Sequence, residues 1–387
     1  MKKVNTSIYK YILLGVVAFC ILAISATTVP TSLLVKAART GSEWISSSPS
    51  LVTPSYAFQG IADSESDVEL EYVFGKWKPI QNAQNIRFIA RIGERYFFTL
   101  KDAVKALDNG EILEIGEGVY EEPLIIRDSN VVVRGVGHVL FQNTAAKGKA
   151  AIINKGNNNV FENIECRHIK VKHKNGACIR NQGKNITLNH VYFHDSESGL
   201  MTGKRPGKVV ITNSRFERLG KNGRAHGLYA GGGELEISNS MFLSSIDEGH
   251  EIKTRAHKTL IRNSVIASMS GNDSRLIDAS NGGVLIVEHS ILQQGSASEN
   301  QDAIGYGLEG FKYGENSIRL ESNLILLERK GRNVLVRIKG DKVDPLFHNN
   351  TIVSQKRIPL GGRNLQYKSR GQASLPEYPL LPLSRLD

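Results

Sequence analysis

Asn185-Ile-Thr-Leu-Asn-His-Val-Tyr-Phe193 recurs in altered form along the chain. It returns as Val209-Val-Ile-Thr-Asn-Ser-Arg-Phe216, Leu235-Glu-Ile-Ser-Asn-Ser-Met-Phe242, Thr259-Leu-Ile-Arg-Asn-Ser-Val-Ile266 and Leu285-Ile-Val-Glu-His-Ser-Ile-Leu292. The last residues of successive copies are 23, 26, 24 and 26 apart, and weaker copies occupy 160–166, 318–325 and 346–352. Each copy alternates apolar and polar residues, turns at an Asn-Ser-like pair, and resumes with another apolar pair. Period-two alternation marks half-buried strands. One such unit cannot bury its own apolar face, but stacked units enclose a continuous core, so the repeat predicts a β-solenoid. Asn at the corner fits, because it tolerates a left-handed backbone and can form hydrogen-bonded ladders between coils.

The stretch before the repeats fits one end of such a stack. Thr99-Leu-Lys-Asp-Ala-Val-Lys-Ala-Leu107 reads as a short amphipathic helix, ended by Asp108-Asn-Gly and followed by the strand Glu111-Ile-Leu-Glu-Ile115. An open solenoid end exposes strand edges, and a capping helix covers them. Helix and repeats together resemble the pectin-lyase-like right-handed parallel β-helix superfamily over about residues 98–353. The expected fold is all-β, a right-handed parallel β-helix with a short N-terminal capping helix. The expected layout is a signal peptide or signal anchor (1–28), an irregular linker arm (29–75), the β-helix (76–360) and a C-terminal tail (361–387).

With 387 residues, 40% of them hydrophobic and 22% charged, the chain has material for a large core, which excludes wholesale disorder. A single long apolar run excludes a multi-span membrane protein. That run follows Lys2, Lys3 and Lys10 and reads as a secretory signal, with Ala23 and Ser25 as the small residues of a cleavage site; an uncleaved anchor is the alternative. Either implies export, to a periplasm, cell envelope or medium, with membrane contact only through this segment. Cys166 and Cys178 then remain, as small buried hydrophobes or one disulfide, too few for a metal cluster.

The formal charge is +11, and still +8 without the three N-terminal lysines. A basic exported protein points to a polyanionic partner. The sequence carries no zinc-finger spacing, RNA-recognition signature or basic block with interleaved aromatics, which disfavours nucleic acid.

Aligned residues on successive coils stack, so the second strand of each coil is where chemistry would gather. Leu200, Leu228, Ile252, Ile277 and Ile304 align as its inward anchors. The residues after them, Met201, Tyr229, Lys253, Asp278 and Gly305, then point outward. Two before each anchor stand Ser198, His226, His250, Arg275 and Asp302; strict alternation sends these inward, but the strand leaves its turn here and the phase is open. Arg255, two after Lys253, also points outward. Tyr, Lys, Arg and His suit β-elimination on a uronic acid polymer. That reaction needs a cation on the carboxylate, a base for the C5 proton and an acid for the leaving 4-oxygen. A hydrolase would instead need paired carboxyls, for which Asp278, Asp247, Glu248 and Glu251 are the candidates. No GxSxG elbow or phosphate loop is present.

The coil carrying His250-Glu-Ile-Lys253-Thr-Arg255 resembles the segment of alginate-lyase and chondroitinase-B-type lyases that bears their catalytic Lys. The resemblance implies Lys253 as base and an Arg on the next coil as acid. Arg275 holds that place, with Arg255 as its substitute, since Leu276-Ile277 stand where the family has His-Gly. Thr254 likewise replaces the family's Ser. His226, His250 and Tyr229 are alternatives for proton transfer. The resemblance also admits Ca²⁺ as carboxylate neutraliser; the residues themselves suggest no metal site. HGLYAG (226–231), GHEIKTRA (249–256), IDASNGG (277–283) and Gln293-Gln-Gly295 are similar to elements of exported bacterial β-helix proteins. On that basis Asn281 and Gln294 are substrate-contact candidates; Asp278 joins them from the outward column, and His194, in His194-Asp195-Ser-Glu197 one or two coils earlier, as an extension of the groove. The expectation is an exported lyase acting on an acidic exopolysaccharide or envelope glycan. A C5-epimerase, a glycoside hydrolase and a non-catalytic glycan-binding or structural envelope protein stand beside it.

Overall fold

The computed structural model describes residues 65–82, 87–340 and 343–385, all within one unit, Ala62–Asp387. The signal or anchor reading of 1–28 lies outside the described residues.

Each repeat copy is two short strands meeting at a corner. Ile186–Asn189 and Tyr192–His194 flank His190; Lys208–Thr212 and Arg215–Glu217 flank Asn213. Every copy pairs in parallel with the next, so Phe193, Phe216, Phe242, Ile266, Leu292 and Ile325 share one register. All six are buried. Phe193 meets Phe216 edge-on at 5.4 Å, and Phe216 stacks on Phe242 at 4.5 Å. Burying such a side chain contributes about 1.5–3 kcal/mol, and the solenoid repeats the gain at every coil. A third strand completes each coil. These strands form a separate nine-stranded sheet, whereas the corner strands belong to a 21-stranded one. The result is the right-handed parallel β-helix expected from the repeat.

The corners show why the Asn-Ser pair recurs. The first residue (Asn163, His190, Asn213, Asn239, Asn263, His289, Ser322, Asn349) has φ between 46° and 56°, the left-handed region that Asn enters at low cost. The ladder runs through the second residue, not the first. The side-chain oxygens of Ser214, Ser240, Ser264, Ser290, Asn323, Asn350 and Asn364 each accept the backbone N–H of their counterpart on the preceding coil, at 2.9–3.2 Å. The first residue projects outward except at Asn163, which is buried and donates to Gly135 O and Gly137 O; the second points into the wall, where an unpaired N–H would be costly.

At the N-terminal end the helix is Leu100–Lys105, with Thr99 as N-cap accepting from the Asp102 N–H at 3.0 Å and Leu100 and Ala103 buried. The hairpin Ala90–Ile92/Arg95–Phe97 runs antiparallel to the first long strand, Ile112–Tyr120. The segment read as an irregular arm contains a helix, Glu65–Phe74. Its Leu70 is buried in a cluster with Leu243, Val265, Met269, Ile291 and Leu326 of the wall and Leu375 and Leu381 of the tail. The wall is apolar on its outer side there, and arm and tail cover it. The tail adds one more strand, Leu365–Tyr367, paired with Thr351–Ser354. Cys166 and Cys178 form a disulfide between the two sheets, with Cα atoms 5.8 Å apart.

Candidate active site

The outer face of the nine-stranded sheet carries the predicted column. Leu200, Leu228, Ile252, Ile277 and Ile304 pair in sequence and are fully buried. The next residue of each strand therefore turns away from the core, and Met201, Tyr229, Lys253, Asp278 and Gly305 pair in the same register. The column extends beyond these five: Arg180 precedes Met201, and Arg337 follows Gly305. Arg180 is a site residue that the sequence reading did not reach, although continuing the same register one coil further back would have found it.

Lys253 Nζ lies 2.9 Å from Asp278 Oδ2 and 3.1 Å from Glu309 Oε1. Its side chain is only 13% exposed. Glu309 comes from the loop after Asp302–Tyr306 and also binds Arg255, through Nε at 3.1 Å and a second nitrogen at 2.5 Å. Burial works against the Glu309 carboxylate, but its hydrogen bonds to Lys253 and Arg255, and their charges, hold its pKa below the usual value. Arg255 also donates to the Tyr229 hydroxyl, with its guanidinium 5.3 Å from the ring centre. Asp278 is buried; its Oδ2 also accepts from Ser280 Oγ at 2.8 Å. Gly305 makes room for it, since a Cβ there would stand 2.9 Å from Asp278 Oδ1.

The second column is inward enough to be buried yet remains polar. His226 N–H faces Ser198 Oγ at 3.3 Å, and His226 Nδ1 accepts the His250 backbone N–H at 3.1 Å. The two rings stack at 4.8 Å. His250 Nε2 lies 3.4 Å from Asp278 Oδ2. Burial, followed by nearby positive charge including Lys253, pushes both imidazoles well below the ordinary value. Both are neutral at pH 7. An accepting Nδ1 puts the proton of His226 on Nε2, so His226 offers a donor rather than a base. Arg275 is turned to the buried Asp302, which it ion-pairs through Nε. It does not line the cleft.

That cleft is about 580 Å³ and is lined by Asn175, Arg180, Met201, Lys204, Arg224, His226, Tyr229, Lys253 and Arg255, among others. Five of the lining residues are cations and none is a carboxylate. Among the described residues, Arg180, Lys204 and Arg224 have no carboxylate in ion-pair contact. Lys204 and Arg224 come from loops of irregular length, which carry no register to read.

The other candidates stand elsewhere. Gln294 is fully buried in another wall, its amide donating to Asn300 O at 2.8 Å. Asn281 lies at the corner beyond Ala279, where its carbonyl accepts from Lys312 N at 3.0 Å. His194 also belongs to another wall, held between Glu165 and Asp195 at 3.1 and 2.5 Å. Of the hydrolase carboxyls, Asp247 pairs with Lys221 at 2.6 Å, and Glu251 is buried against Ser245. Calcium needs several oxygen donors facing one point. Asp278 and Glu309 are instead turned onto Lys253 and Arg255, and the cleft lining is cationic. These residues do not fit a calcium site.

No family model matches the chain, and no curated protein matches it. Among solved structures it is similar to pectate lyase Pel9A, at 13% identity over 76% of this chain and 78% of that one, with a TM-score of 0.52. A pectin methylesterase mutant in complex with a hexasaccharide aligns at 12% identity over 72% of this chain and 91% of that one, with a TM-score of 0.37. The first likeness is one of fold.

Proposed function

We propose that the chain is an exported polysaccharide-active enzyme that cleaves an acidic, uronic-acid-containing glycan by β-elimination in the cleft above Lys253. The observation that carries this reading is the register of Tyr229, Lys253 and Asp278 on adjacent coils, with Tyr229 and Lys253 in the lining of a cleft that holds five cations and no carboxylate and Asp278 buried against Lys253. Such a lining attracts a polyanion and holds a uronate against the floor. The fold shared with a pectate lyase supports the reading, and the basic-then-apolar start of the chain supports export.

Arg255 and Arg180 hold the substrate carboxylate, which stabilises negative charge developing at C5. Lys253 takes the C5 proton. As an ammonium it must first shed one, and Asp278 Oδ2, 2.9 Å away, is the acceptor within reach. The C4–O bond then breaks, a C4–C5 double bond forms, and the Tyr229 hydroxyl, beside Lys253 in the column, protonates the departing oxygen. A C5-epimerase would share the first step and return a proton to the opposite face. A hydrolase is less well served. It needs one carboxyl kept protonated beside the substrate, whereas Glu309 is held below its usual pKa by two cations.

The test is a panel of acidic polysaccharides followed in the ultraviolet, where the unsaturated uronate product absorbs. Absorbing product is expected, with Lys253→Ala reducing its rate about 10³-fold. Reducing ends without absorbance would replace elimination by hydrolysis. A second reading, glycan binding without catalysis, is favoured by the double ion pair on Lys253, which engages its amine with both Asp278 and Glu309. Retention of polymer without any product would establish it.

A further inference from the structure

The loop that precedes Arg180 reads Lys170-Val-Lys-His-Lys-Asn175, alternating cations in a short span. It is built, not merely draped. Glu197, itself buried, accepts the backbone N–H of Val171 at 3.1 Å and of Gly176 at 2.6 Å, closing the loop at both ends. Lys174 bonds back to Val171 O at 3.0 Å with φ of 55°, which makes the turn at its tip. With the backbone spent on this fold, Lys170, Lys172, His173 and Lys174 are left exposed. Among the described residues no carboxylate forms an ion pair with any of the three lysines.

The loop adjoins the cleft. Its Asn175 lines the cleft beside Arg224 and Arg180. At its other end Lys170 lines a neighbouring hollow of mixed charge, with Lys221, Arg218 and Arg167 beside the carboxylates Asp195 and Glu197. Lys174 acts electrostatically on Asp247, the partner of Lys221, which puts it within reach of the charges on the loop that carries Arg224. Cations therefore continue from Lys253 and Arg255 through Arg180 and Arg224 and out along the lysine loop. Stability does not account for this. Unpaired like charges on one loop repel each other, and exposed lysines contribute little to folding.

We propose that Lys170, Lys172 and Lys174 form an electrostatic docking track for the part of a polyanionic glycan chain that extends beyond the cleft. The proposal rests on the acidic-polysaccharide reading above and adds to it that the substrate is a long polymer engaged internally, not a short fragment. The track acts through charge, so it favours polymers with a negative group on every or every second sugar, and it weakens with salt.

The experiment is affinity electrophoresis of the full chain in gels containing polygalacturonate or alginate, with neutral dextran as control. The triple variant Lys170→Gln/Lys172→Gln/Lys174→Gln is compared with the wild type and with Lys253→Ala. Such surface changes are tolerated by folding, and circular dichroism checks this. The triple variant is expected to bind the acidic polymers about tenfold more weakly at low salt, to lose that deficit at high salt, and to bind a short uronate oligomer as the wild type does. An unchanged polymer affinity in the variant, with the wild type binding well, overturns the docking track and leaves the acidic-glycan reading standing. A wild type that binds no acidic polymer at any salt overturns both.

Discussion

The Nδ1 atom of His226 accepts the backbone N–H of His250 at 3.1 Å, so one imidazole holds the chain that carries the next. The bond exists only while His226 is neutral, since a protonated ring has no lone pair at Nδ1. Burial keeps it so, with the pKa of both histidines pushed well below 6.5. In the unfolded chain each titrates near 6.5. Below that pH the unfolded state binds more protons, so stability falls as pH falls. His226→Asn supplies an acceptor in place of Nδ1 without the titration. Its melting temperature should stay within a few degrees of wild type at neutral pH and fall less on going to about pH 5. Equal acid sensitivity in the two proteins would remove His226 as a source of it.

Lys253 and Asp278 should be coupled in stability as well as in activity. Asp278 is buried, so removing the cation leaves a carboxylate with only Ser280 and a neutral His250 near it. Lys253→Met should cost about 3 kcal/mol. Adding Asp278→Asn should return part of that loss, because the double variant buries no unpaired charge. Denaturant titration of the four proteins in the cycle measures the coupling. Strict additivity would mean that Glu309, not Asp278, is the partner that matters.

The fold and the floor of the cleft were legible for one reason. A solenoid converts sequence spacing into spatial register, so aligning Leu228, Ile252 and Ile277 also aligned Tyr229, Lys253 and Asp278. What escaped was whatever lies off that lattice. Glu309 reaches Arg255 across 54 residues from an irregular loop; Lys204 and Arg224 likewise sit on loops without a repeat. Arg275 was placed on the right coil, but its commitment to Asp302 depends on a buried pair that spacing does not reveal. Gln294 and His194 were carried by short polar motifs, and polar motifs in a β-helix serve walls as readily as clefts. The helix Glu65–Phe74 escaped because its segment is poor in helical periodicity, and it is packed by the tertiary contact of Leu70.

The serine ladder makes a prediction about the corners. Ser240 Oγ accepts from Ser214 N–H at 3.1 Å and donates to Ser238 O at 2.8 Å. Ser240→Ala keeps the volume nearly constant but strands a buried N–H. The expected loss is about 1–3 kcal/mol, far above that of a typical surface Ser→Ala change. Ser240→Asn should recover part of it, because Asn fills the same rung at Asn323 and Asn350. Urea melts of the two variants decide this. An unaffected Ser240→Ala would show that the rung is dispensable.

Asp273 stores a pH dependence of opposite sign to that of the histidines. It is fully buried, with Ser298 Oγ at 2.6 Å, and burial raises its carboxyl to about 7. The neighbouring Glu251 is buried too, and burial followed by the charge of Asp273 pushes it well above its ordinary value. An unfolded Asp releases its proton near 3.8, the folded one only near 7. Between those values the native state holds the extra proton, and its contribution to stability is lost as pH rises through about 7. Asp273→Asn mimics the protonated form at every pH. It should match the wild type near pH 4, gain on it steadily up to about pH 7 and hold a constant advantage above that. Melting temperatures of the two proteins across that range supply the comparison; a difference independent of pH would mean that Asp273 ionises in the native state as freely as in the unfolded one.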